Sequence, residues 1–190
     1  VAISGADALA VVLASTTIPR KAFNDLLKDL ITELEAVKNP IRGRKRLMLV
    51  GSANDDVELV RLIEGDEAVV VADNLCFGAR FYADLVEVEG DPIAALAKRY
   101  LFHNDCPRMF GDYKGRLNIL HEKIERAAVD GVILQNIRFC DLHGSENGIF
   151  ERDLEAAGIP CIRIEREYGP LVETGRIRMR IDAFLERLEK

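Results

Sequence analysis

Long apolar runs, blocks of basic charge and closely paired cysteines are all missing from this chain of 190 residues. No stretch approaches the ~20 apolar residues that a bilayer-spanning helix needs. Val1 to Pro19 is apolar but carries Asp7 and lacks a basic lead, so it does not read as a signal peptide. Lys and Arg number 26 against 32 Asp and Glu, a net charge of -6, and the densest basic stretch, Arg42 to Arg46, is short and reads as a solvated loop. That balance argues against a nucleic-acid backbone as partner. Cys76, Cys106, Cys140 and Cys161 are widely spaced, with no C-x-x-C pair, so free thiols in a reducing cytoplasm are the default. Gly51-Ser52-Ala53-Asn54 lacks the further glycines of a dinucleotide fingerprint, and there is no P-loop. No internal repeat or low-complexity segment stands out.

What remains is an ordinary globular composition, 48% hydrophobic and 31% charged, long enough for one good core or one domain with an appendage. Phe23, Leu26, Leu27, Leu30, Ile31, Leu34 and Val37 share one helical face, and Asn39-Pro40 stops that helix. Ala6 to Ala14 is a second helix candidate, and together they predict a helical arm over 1–40. From there the pattern alternates. Strands are expected at Leu47–Val50, Ala68–Ala72, Val132–Gln135 and Pro160–Ile164. Between them lie helical stripes through Val57, Val60 and Ile63, through Ile93 to Leu101, through Leu117 to Ala127, and over Ile149–Ala157; a last one runs from Ile177 to Leu188. Strands separated by amphipathic helices mean right-handed crossovers and a covered parallel sheet. The expected fold over 41–190 is therefore an α/β domain with a four-stranded parallel Rossmann-like or flavodoxin-like sheet.

In such a sheet, ligands bind in the loops leaving the carboxyl ends of the strands. Those loops would collect Ser52, Asp73, Cys76, Arg80, Cys140, Asp141, His143, Glu165 and Tyr168. A soft metal or redox centre would use the cysteines, and Phe139-Cys140-Asp141-Leu142-His143-Gly144 places a thiol, a carboxylate and an imidazole at one strand's mouth. Zinc is a poor fit without a close Cys pair. A Cys140–His143 nucleophile pair is conceivable, and an iron–sulfur cluster would need more thiolates than one. Cys161 reads as a small buried hydrophobe, Cys106 as structural, and Cys76 could equally pack. His103 and His121 read as surface or helix-face residues, whereas Gly144 lets the loop turn beside His143.

These residues resemble the carboxyl-terminal domain of the 2-hydroxyacyl-CoA dehydratase and benzoyl-CoA reductase family. The resemblance rests on Asp73-Asn74-Leu75-Cys76-Phe77-Gly78-Ala79-Arg80, Asp130 to Ile133, Arg138 to Gly144, Gly158-Ile159-Pro160, Glu165 to Pro170 and Gly175-Arg176 through Arg180. It covers roughly Arg46 to the end, and the Glu165–Pro170 and Gly175–Arg180 wording is nearer the benzoyl-CoA reductase type. Met179 departs from it, where a small hydroxyl residue is expected.

The resemblance implies a heterodimer with a related second subunit, each subunit a pair of stacked α/β domains holding a [4Fe-4S] cluster through three cysteines. Cys140 would be this domain's ligand, with Cys76 a weaker candidate and the others coming mainly from a preceding domain; the opening Val fits a piece of a longer polypeptide. An ATP-dependent activator protein would inject one low-potential electron, and the acyl-CoA thioester would meet the cluster's open iron. Asp141 and His143 would orient the loop, or else relay a proton, the Gly144 amide would hydrogen-bond cluster sulfur, and Asp73, Arg80 and Tyr168 would support the loops or face substrate. Two other readings stay open: a non-catalytic partner subunit without a cluster, and a stand-alone flavodoxin-like ligand-binding domain.

Overall fold

Two apolar faces on a short parallel sheet dictate the architecture. The computed structural model describes residues 1–38, 40–103, 105–109, 111–169 and 174–189; Asn39 of the expected helix stop and Pro170 of the Glu165–Pro170 motif lie outside these. Four strands, β1 (Lys45–Gly51), β2 (Ala68–Asn74), β3 (Gly131–Ile137) and β4 (Cys161–Arg166), pair in parallel in the order β2-β1-β3-β4. The expected α/β class and parallel sheet are what the chain adopts. Because β2 and β3 flank β1 on opposite sides, the connections diverge there, and the loops after β1 and β3 bound the crevice where such sheets take ligands.

Side chains alternate across each strand. Leu47, Leu49 and Ile133 face a cluster built with α1 (Gly5–Thr17), α3 (Val57–Glu64) and α8 (Thr174–Arg187). Met48, Val50, Val132 and Leu134 face the other side, against α6 (Tyr113–Ala127) and α7 (Asp141–Ala156). The remaining helices are α2 (Arg20–Glu35), which buries only Phe23, the single turn α4 (Ala79–Tyr82), and α5 (Pro92–Phe102). The expected N-terminal helices are present, and α1 is built into the core. Buried Glu64 accepts the amides of Gly5, at 2.7 Å, and Ala6, and also that of Val70 on β2, so one carboxylate satisfies the first turn of α1 and a strand edge together.

One element begins far from where periodicity puts it. Helix α7 starts at Asp141, eight residues ahead of the expected Ile149, so Asp141, His143 and Gly144 are helical and not in a loop. Its inward stripe is His143, Glu146, Asn147, Phe150 and Leu154. The first three are polar, which hides the 3.6-residue repeat that apolar residues would display. Phe139, at φ 68°, turns the chain from β3 into the helix, and the Gly144 amide is spent on the Cys140 carbonyl at 2.8 Å. It is therefore not free for a cluster sulfur.

Candidate functional site

The carboxyl edge of the sheet gathers three thiols from three separate segments. Cys140 is the residue capping the start of α7, half-buried, with its amide on the Ile137 carbonyl at 2.9 Å. The positive end of a 16-residue helix dipole there favours negative charge. Cys76 lies in the turn between β2 and α4, and Cys106 in the segment between α5 and α6, both half-buried. Burial chiefly raises the Cys76 pKa, Arg80 opposes this, and Cys106 and Cys140 stand near enough to raise it further. Cys161 is elsewhere, sealed at the amino end of β4, where burial pushes its thiol up to about 12. It is the buried small group expected of it. Cys106, which reads as structural from its place before Pro107, lines the same cavity as Cys76; no local pattern in the sequence announces that.

Loop geometry explains how Cys76 is held. Asp73 Oδ1 accepts the amides of Leu75, at 3.1 Å, and Ala79, at 2.7 Å, closing the turn over the thiol. Asp73 is thus committed to the loop. Gly78 sits where a Cβ would overlap that carboxylate. Arg80, on α4, runs inward and is 7% exposed. Its Nη2 donates to the Gly51 carbonyl at 2.6 Å and to the Cys76 sulfur at 3.2 Å, and lies 3.4 Å from His143 Nε2. Its Nη1 donates to the Asp105 carbonyl at 3.3 Å. His103, expected on the surface, is largely buried and anchors this turn: Nε2 meets the Arg80 carbonyl at 2.6 Å and Nδ1 meets Asp84 at 3.0 Å.

His143 is buried under the thiols. Because the guanidinium can only donate, Nε2 accepts and the ring proton sits on Nδ1, which has no partner among the described residues. Burial, then the charges of Arg80 and Arg116, pull its pKa from 6.5 to about 4. A neutral ring accepting at Nε2 helps to orient Arg80. The unfolded chain binds more protons than the folded one between pH 4 and 6.5. The contribution of His143 to stability is therefore complete above 6.5 and lost as pH falls through 4, about 3 kcal/mol at most. Urea melts at pH 7 and pH 4.5 should show a larger loss for the wild type than for His143→Gln; parallel losses would refute the assignment.

Asp141 is exposed in the first turn of α7. Tyr168, 78% exposed beyond β4, makes none of the hydrogen bonds that join these groups. Ser52 is buried, and its hydroxyl accepts the Ile137 amide at 2.8 Å, tying the loop after β1 to that after β3. Glu165 pairs with Arg138 at 3.3 Å. A cavity of about 540 Å³ opens on Cys76, Arg80, Tyr82, Arg99, His103 and Cys106. Around the thiols the surface is unusually apolar: Phe77, Phe81, Leu85, Tyr100, Phe139 and Leu142 are all exposed, Phe139 at 88%. No helix among the described residues is long and apolar enough to cross a membrane.

The sequence matches known proteins over most of its length. A family model described as 2-hydroxyglutaryl-CoA dehydratase, D-component, aligns with residues 1–188. The (R)-phenyllactyl-CoA dehydratase beta subunit of Clostridium sporogenes is 26% identical over 170 residues, covering 89% of this chain and 45% of that subunit. The lactoyl-CoA dehydratase subunit beta of Anaerotignum propionicum is 24% identical, covering 86% and 44%. A benzoyl-CoA reductase subunit of Thauera aromatica is 26% identical, covering 73% and 37%. The chain spans less than half the length of each of these three.

Proposed function

Because the chain belongs to the 2-hydroxyglutaryl-CoA dehydratase, D-component, family, we propose that it forms the thiol-bearing part of an acyl-CoA dehydratase or benzoyl-CoA reductase subunit. In this reading Cys140 is a ligand of a [4Fe-4S] cluster, with Cys76 the next candidate. The donor set suits such a group. Three free, half-buried thiols lie near one rim, with the Arg80 guanidinium donating to one of them and the carboxylates of Asp84 and Asp105 lining the adjoining cavity, and an iron–sulfur cluster is held by thiolates. The cluster, when bound, supplies low-potential one-electron chemistry at an acyl-CoA thioester.

The residues of this chain supply position, charge and dryness. Asp73 fixes the turn that carries Cys76, the α7 terminus faces Cys140 with positive potential, and neutral His143 sets Arg80. The exposed apolar rim, Phe139 above all, would be covered by the remainder of a longer two-domain subunit, which would bring further ligands and exclude water. A related second subunit, an ATP-dependent activator protein and an acyl-CoA substrate complete the assembly, which would work in the cytoplasm. The wider coverage of the two dehydratase subunits favours a 2-hydroxyacyl-CoA substrate and dehydration, while the Glu165–Pro170 wording favours ring reduction. Assays of the complex with a 2-hydroxyacyl-CoA and with benzoyl-CoA separate the two.

The observation that carries this reading is the convergence of Cys76, Cys106 and Cys140. In the full-length subunit, prepared without oxygen, Cys140→Ala should lose most of the bound iron and the broad visible absorbance expected of iron–sulfur charge transfer. Cys161→Ala should keep both. Iron content unchanged in Cys140→Ala would refute the ligand assignment, and a wild-type subunit that binds its partner yet takes up no iron would favour a non-catalytic partner subunit.

A further inference from the structure

Three arginines are buried among the described residues, and two of them have a carboxylate. Arg116 pairs with Glu146 at 2.6 Å and Arg166 with Asp55 at 3.1 Å. Arg80 forms no ion pair among the described residues. Its side chain meets two carbonyls, a thiol and a neutral imidazole, and its Nε has no partner there. A buried cation without a counter-anion is strongly unfavourable. The fold therefore carries a buried positive charge whose direct contacts are all uncharged, with the carboxylates of Asp84 and Asp105 lining the same cavity beyond ion-pair distance.

The reach of that guanidinium is equally specific. One contact is the Cys76 sulfur, one is the carbonyl of Asp105 beside Cys106, and one is His143, three residues beyond Cys140. The fourth is the carbonyl of Gly51 at the end of β1. Each thiol-bearing segment is thus tied, directly or through a near neighbour, to the same planar group. The flat fork of an arginine serves several acceptors at once, which a lysine ammonium cannot reproduce.

We propose that Arg80 is the positioning residue and fixed counter-cation of the thiol site: it fastens the three cysteine segments to the sheet and stabilises negative charge on the sulfurs and on the group they bind. This rests on the cluster reading above. When the bound cluster takes one electron from a low-potential one-electron chemical reductant, [4Fe-4S]²⁺ becomes [4Fe-4S]⁺ and the site grows more negative by one charge. A neighbouring cation favours that change, so its removal shifts the equilibrium toward the oxidised form.

The test uses the full-length subunit with its partner subunit, reconstituted without oxygen, as wild type, Arg80→Gln and Arg80→Lys. Iron and sulfide content are measured first, then the midpoint potential by a spectroscopically followed redox titration. Arg80→Gln should retain iron and shift the reduction equilibrium at least tenfold toward the oxidised form, about 59 mV more negative for one electron. Arg80→Lys, which keeps the charge, should stay within that margin of the wild type. An iron-loaded Arg80→Gln protein with an unmoved potential overturns the proposal. Where Arg80→Gln loads no iron, Arg80→Lys decides: a potential near the wild type supports the counter-cation, and a tenfold shift overturns it. A wild-type complex that holds no iron sinks the cluster reading, and this proposal with it, and so is told apart from failure of the proposal alone.

Discussion

Replacing Glu146 by Ala should unfold much of the domain under conditions where the wild type is stable. Arg116 and Glu146 are both buried, joined by Nη2–Oε1 at 2.6 Å and Nε–Oε1 at 3.0 Å, and they bolt α6 to α7. Taking away the carboxylate leaves a guanidinium in a medium of low polarity, with a void beside it. Removing one partner of a buried pair costs about 3–5 kcal/mol, a large part of the ~5–15 kcal/mol that holds a domain together. Denaturant melts of the 190-residue chain should show the midpoint falling accordingly. The double variant Arg116→Met with Glu146→Leu should recover most of the loss, because apolar side chains of similar size remove both desolvation penalties at once. Failure of the double variant to recover would mean that packing, not charge, dominates at this joint. Arg116 also donates to the Met109 carbonyl at 3.0 Å, so the segment carrying Cys106 should loosen in the single variant as well.

Gly51→Ala should be nearly as damaging, for a steric reason. Gly51 ends β1 at φ 139°, and a Cβ there would overlap the carbonyl oxygen of Gln135 and stand 2.8 Å from its carbonyl carbon. That neighbour is the backbone of β3, directly opposite in register, and it cannot rotate away. Left-handed strain and overpacking together make a cost of about 3 kcal/mol or more. The two central strands must part at the edge where Gln135 Nε2 donates to the Ser52 carbonyl at 2.8 Å and Arg80 donates to Gly51 itself. Hydrogen exchange should accelerate first at the amides of Ser52 and Ile137; a variant with wild-type exchange there would show that the strands accommodate the methyl.

The strands are easy to read because each is a short β-branched or aliphatic run, Leu47–Val50 or Val132–Leu134, bounded by a turn. Parallel pairing then follows from the helices between them, whereas the order β2-β1-β3-β4 comes from the structure alone. The sequence places Phe139 to Gly144 at the mouth of β3, where the structure has them, but not the helix that begins at Asp141. The site is obscure where a role depends on burial. Periodicity cannot show that His143 and Glu146 point inward, because polar residues do so only when a partner such as Arg116 awaits them from a helix 30 residues away. Likewise the sequence puts Arg80 among the loop residues at the carboxyl edge but not its burial, because α4, which aims it at the end of β1, is a single turn that leaves no repeat to detect. Cys106 reaches the rim through tertiary packing alone.

The three amides gathered by Glu64 bear on where this unit could be trimmed. Composition suggests a cut near residue 40, between an arm and a domain, but Ala6 and Leu9 lie in the same cluster as Leu49 and Ile133. Excision there would remove α1 from a face that α3 and α8 also cover, and would leave Glu64 with one of its three amides. A trimmed unit that keeps this packing therefore begins no later than Ser4, whose hydroxyl accepts the Asp7 amide and starts the first helix.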